Sequence, residues 1–149
     1  MSYFLGFFQY ISDMGATVMM PIIICVMGCI CYGTTHADYI YGEVPCVRNL
    51  TKNEIDEDYE TNTGNVIVEE FRRFQKDVLS VPAVLCKNHG PFTWGKSSME
   101  AVHNSVVLEE CAKMAYRTEL INPGVKEAPQ ELIEKHYMRK HGANAYYGQ

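Results

Sequence analysis

The chain has 149 residues, 47% hydrophobic and 21% charged, with 13 Lys+Arg against 18 Asp+Glu for a formal net charge of −5. That length makes one domain with a substantial core of its own, and an acidic balance with no basic block excludes nucleic acid as the main partner. Six cysteines, Cys25, Cys29, Cys31, Cys46, Cys86 and Cys111, form no Cys-x-x-Cys pair and lie among apolar residues, which predicts packed reduced thiols in a cytosol rather than a disulfide frame. The spacing Cys25-x-x-x-Cys29-x-Cys31 lacks the partner pair that a zinc finger needs.

Residues 16–32 run for 17 positions without a charge, at the short limit for a membrane span and with Pro21 near the middle. No basic residue precedes Arg48, so neither the charged start of a signal peptide nor the positive-inside rule has anything to act on. The segment reads as a membrane anchor, as a buried segment, or as a stretch unrelated to the rest of the chain.

From Gly33 the texture is that of an α/β domain. "DYIYGEVPCV", Asp38 to Val47, reads as short extended pieces and turns. Thr51-x-x-Glu54 is a capping box opening a short acidic helix or turn through Tyr59. Val66, Ile67, Phe71 and Phe74 recur at helical spacing, predicting a helix from about Asn65 to Lys76, although Val66 to Val68 equally suits the start of a strand. Val81 to Cys86 is a buried strand that delivers Asn88 and His89 at its C-terminal end before a Gly-Pro break. Ser97-x-x-Glu100 opens the longest helix, with Met99, Val102, Val106, Cys111 and Met114 near one face, up to about Leu120. "NPG" at Asn122–Gly124 stops it, and a last helix runs from Gln130 to Lys140 with Leu132, Ile133, His136 and Tyr137 along one side.

His89, held in a Gly/Pro/aromatic loop after a strand, is the best single metal candidate. A catalytic zinc takes three protein ligands, and His36 and Asp38, spaced His-x-Asp, are the residues that could complete a set. The competing reading of "THADY" is a hydrogen-bonded turn. Asp38 suits a general base only if it is set against a substrate hydroxyl. His103 is read as a hydrogen-bonding residue of its helix. The final residues, "HYMRKHGANAYYGQ", crowd His136, Arg139, Lys140, His141, Tyr146 and Tyr147 into a terminus of the kind that frays unless tied down.

"GTTHADYIYGEVPC" (Gly33 to Cys46), "HGPFTWGKSSMEAVHNSVVLEE" (His89 to Glu110) and "KHYMRKHGANAYYGQ" (Lys135 to Gln149) together resemble the C-terminal half of the L-ribulose-5-phosphate 4-epimerases, within the class II aldolase and adducin family. The resemblance covers residues 33–149 and leaves 1–32 outside it. It implies a three-layer α/β/α fold around a mainly antiparallel central sheet, assembled as a homotetramer in the cytoplasm. It also implies a zinc-dependent retro-aldol and aldol epimerisation of a phosphorylated ketopentose, L-ribulose 5-phosphate to D-xylulose 5-phosphate, in pentose catabolism. Such chemistry needs an acid–base group on each face of C4, and the family motifs put these on Asp38 and Tyr147. His89 falls on a zinc histidine, and Glu60 and His136 on positions near the site. In the family the zinc is held by one subunit, while the Asp and the terminal Tyr come from its neighbour.

Three family features have no counterpart here: the His-x-His that supplies two further zinc ligands, the phosphate-binding Ser/Gly segments, and any histidine before His36. This leaves two expectations. One is an epimerase subunit completed by sequence outside this chain. The other is a non-catalytic truncated remnant or interaction fragment, with a membrane-tethered module as a weaker third.

Overall fold

A computed structural model describes residues 27–75 and 77–148. Cys25, most of the apolar run from 16 to 32, Lys76 and Gln149 lie outside the described residues. The elements are α1 (Thr34–Ala37), β1 (Cys46–Val47), α2 (Lys52–Phe74), β2 (Ala83–Cys86), β3 (Gly90–Thr93), α3 (Ser98–Ile121) and α4 (Gln130–His141). Among the described residues no helix is long and apolar enough to cross a membrane.

The sheet has the order β1-β2-β3 and is mixed. β1 runs parallel to β2, with Cys46 beside Leu85, and α2 makes the crossover that a parallel pair requires. β2 and β3 form an antiparallel hairpin from Ala83–Thr93 to Cys86–Gly90. Every residue of β2 is buried, as a strand covered on both faces must be. α2 packs on β1 and β2, and α3 on β2 and β3. Between them lie Val66, Ile67 and Phe71 of α2, Val84 and Leu85 of β2, Leu108 and Cys111 of α3, and the Trp94 ring edge-on to Phe71. The Trp94 indole N–H donates to the Val78 carbonyl, so the one tryptophan fills the core without an orphaned donor. α4 packs on α1 around a smaller cluster of Cys31, Ala37, Ala128 and Ile133. The described thiols sit within this packing: Cys29, Cys31, Cys86 and Cys111 are buried, and burial pushes the Cys111 thiol up to about 12.

Three expectations are corrected. The acidic helix opened by Thr51 breaks off at Asp58, whose φ of −148° and ψ of 79° are not helical, close to its expected end; the helix that follows begins directly after the break and not at Asn65, so the two form one interrupted run, α2. Side chains repair the ladder there: Asn62 donates to the Glu54 carbonyl, Thr63 to the Tyr59 carbonyl, and the Thr61 amide to the Asp58 carboxylate. The Gly-Pro after His89 does not end the sheet but opens β3. β3 is an edge strand, where a proline lacking its N–H is tolerated. α3 buries Ala101, Ser105, Leu108, Glu109 and Cys111, whereas Met99, Val102, Val106 and Met114 are exposed, so the apolar stripe read from the sequence is not the buried face, and of its residues only Cys111 is buried. Thr34–Ala37 is a single helical turn that ends at Asp38, the hydrogen-bonded turn read for "THADY".

Candidate functional site

Asp38 ends α1, and its carboxylate meets one face of α4. His136 and Arg139 are three residues apart there, the spacing that puts two side chains over the same surface. The His136 Nδ1–H donates to Asp38 Oδ1 at 3.0 Å. Arg139 forks: Nε reaches Oδ1 at 3.2 Å, and Nη2 reaches Oδ1 at 3.0 Å and Oδ2 at 2.9 Å. From the next turn His141 donates through Nε2 to the Asp38 backbone carbonyl at 2.9 Å. The Asp38 side chain is 14% exposed. Burial alone would push its carboxyl up. The hydrogen bonds from Arg139 and His136, with the charges of Arg139 and Lys140, together outweigh that and hold it below the usual carboxylate value.

The chain end is folded back onto the same residue. The Tyr146 and Tyr147 amides both donate to the Arg139 carbonyl, at 2.9 and 3.1 Å. The Tyr147 ring lies over the Arg139 guanidinium at 4.2 Å, and Lys140 sits over the Tyr39 ring at the same distance. The structure thus brings Asp38 and Tyr147 together around one guanidinium. Arg139 stands within the crowded terminus, but nothing local in the sequence gives it a role, because its partner is 101 positions away.

His89 belongs to a different cluster. Asn88 takes the left-handed conformation, φ 59°, at the β2–β3 turn, which an asparagine tolerates. The His89 amide bonds the Cys86 carbonyl, its Nδ1 lies 3.2 Å from the Tyr59 hydroxyl, and its ring stacks on Phe92. Tyr59 stands one residue past the break in α2. With Nδ1 engaged, Nε2 is left for a ligand, the posture of a metal-binding histidine. The rest of a zinc set is not met: among the described residues no three His, Cys, Asp or Glu side chains are grouped to hold a metal. His36 does not contribute, because it is 4% exposed and donates through Nε2 to the Gly42 carbonyl at 2.9 Å. Asp38 is clamped by α4, and Glu60 is exposed on α2. His103 is exposed on α3 with its ring 5.7 Å from Tyr39. A cleft of about 900 Å³ opens nearby between Tyr39, Lys140 and His141 on one side and Trp94 and Lys96 on the other, yet neither Asp38, Tyr147 nor His89 lines it.

The arrangement offers a carboxylate and a phenol fixed around a cation, and separately a histidine with one nitrogen available. Known proteins are similar to this chain in sequence. The family described as Class II Aldolase and Adducin N-terminal domain matches residues 16–116. Two curated proteins, L-ribulose-5-phosphate 4-epimerase UlaF of Salmonella paratyphi A and of Salmonella typhi, are each 50% identical over 117 residues, covering 78% of this chain and 50% of the relative. The chain therefore spans about half the length of the curated relatives it matches. With a family match over more than half its residues, among them Asp38 and His89, the chain belongs to the class II aldolase and adducin family.

Proposed function

We propose that this chain carries part of an L-ribulose-5-phosphate 4-epimerase: the acid–base pair Asp38 and Tyr147, and one zinc histidine, His89. The observation that carries the reading is the convergence of Asp38 and Tyr147, from opposite ends of the described chain, on Arg139. Inverting C4 of a phosphorylated ketopentose by breaking and remaking the C3–C4 bond needs a proton acceptor on one face and a donor on the other. A carboxylate held ionised suits the first role, and a phenol set beside a cation suits the second. Zinc, where bound, would act as a Lewis acid on the ketone and neighbouring oxygens; its remaining ligands and the phosphate site would come from outside the described residues.

The separation of the His89 cluster from the Asp38 cluster supports a site shared between subunits, and the assembly proposed with it is a cytoplasmic homotetramer. The complete domain would be a three-layer α/β/α unit with a mainly antiparallel sheet. A second reading, a non-catalytic fragment that keeps the same side chains, is favoured by the shortage of metal donors around His89 among the described residues. One experiment separates the two. The purified chain is assayed for epimerisation with zinc, alone and co-expressed with the unmatched half of a Salmonella relative. Turnover in either format that Asp38→Asn and Tyr147→Phe each lower by about 10²-fold or more is the expected result. No turnover in both formats would establish the fragment reading.

A further inference from the structure

The acid–base pair has a third member that neither the family match nor the relatives assign. Asp38 takes four hydrogen bonds at its carboxylate, and they are unequally shared: Oδ1 accepts from His136 Nδ1, Arg139 Nε and Arg139 Nη2, while Oδ2 accepts from Arg139 Nη2 alone. A carboxylate oxygen has room for about two good acceptor contacts, so Oδ1 is filled and Oδ2 keeps a lone pair. The guanidinium that makes this choice is planar, and the Tyr147 ring lies against it at 4.2 Å. Its own main-chain carbonyl anchors the Tyr146 and Tyr147 amides. The side chain is 21% exposed, so the charge is partly withdrawn from water and its contacts are strengthened accordingly.

We propose that Arg139 is a positioning residue that couples the two acid–base groups: its fork selects Oδ2 of Asp38 as the proton-accepting oxygen, and its face sets the Tyr147 ring. The inference rests on the reading of Asp38 and Tyr147 as the acid–base pair. Lysine at this position would keep a charge but could neither fork across a carboxylate nor lie flat under a ring. The groups facing Asp38 are His136, Arg139 and Lys140 from α4, with the His141 ring on its backbone carbonyl.

The test is NMR of the full chain with ¹³C-labelled aspartate carboxyls and tyrosine rings, without substrate. In the unaltered chain the Asp38 carboxyl titrates below its ordinary value. Arg139→Gln raises that midpoint and moves the Tyr147 ring signals, and Arg139→Lys restores the midpoint in part but not the ring signals. Asp38→Asn, nearly isosteric, frees the fork and moves the Tyr147 ring signals through Arg139. This last variant keeps the test decisive if Arg139→Gln does not fold. Tyr147 signals unmoved by Asp38→Asn, or an Asp38 midpoint unmoved by Arg139→Gln, would overturn the coupling. Failure of turnover in both assay formats would sink the epimerase reading and leave these spectra unchanged, so the two failures are distinct.

Discussion

Asp38 shows how one side chain's surroundings set both its chemistry and its share of stability. Its carboxyl is held below the unfolded value, near 4, by partners that all come from α4. A depressed folded pKa contributes stability that is present above the unfolded value and is lost as pH falls through the folded one. Asp38→Asn should therefore cost about 1.5–3 kcal/mol at pH 7, the range for hydrogen bonds to charged groups. The gap between variant and parent should close as pH drops below about 4. Urea unfolding at pH 7 and at pH 3 reads this directly, and a gap that widened in acid would contradict it. His36, two residues earlier, gives the opposite lesson. It looks like a ligand in the sequence, yet its ring is spent on the Gly42 carbonyl inside the protein.

At the scale of elements, what could be read from the sequence was local chemistry. The Thr51 capping box is present as expected, with the Glu54 amide donating to Thr51 and the Thr51 amide to Glu54. The Glu54 carboxyl is pulled down to about 2, first by Arg48 and then by those Thr51 contacts. Ser97 caps α3 in the same way, but Glu100 reaches back to the Lys96 amide in place of the Ser97 amide. The apolar stripe of α3 does not mark its buried face, because both stripes are partly apolar and the more hydrophobic one faces out. Periodicity finds a helix's stripes; only the sheet decides which of them is covered. The Asp38 clamp was out of reach for another reason, since contacts across 98 to 103 positions leave no trace in local spacing. The corrected face makes a sharp prediction. Leu108→Ala, at 1% exposure, should cost about 2–5 kcal/mol. Val106→Ala, at 51% exposure, should stay within about 0.5 kcal/mol. Equal losses in thermal unfolding would show that the helix is turned the other way.

Across the whole molecule, the two clusters that hold candidate chemistry depend on different supports. The Asp38 group hangs on α4 and its contact with α1, and the smaller core beneath it is built on Cys31, Ala37, Ala128 and Ile133. The His89 group rests on the hairpin and on Tyr59, which the break at Asp58 presents to it. Exposure also divides α2, about a turn past the break: residues 52–61 are almost all solvent-facing, while Thr63, Gly64, Val66, Ile67, Val68, Glu70 and Phe71 are buried. A helix interrupted in its backbone ladder need not open as a unit. Amide protons of residues 66–71 should thus exchange with deuterium only in global unfolding, and those of 55–57 orders of magnitude faster through fraying of the outer segment alone. Uniform protection along the helix would contradict this. Tyr59, which bonds the ring of His89, stands just past the break and still within the exposed stretch, so an opening of that stretch would take away the histidine's Nδ1 partner while leaving the buried half of α2 on the sheet.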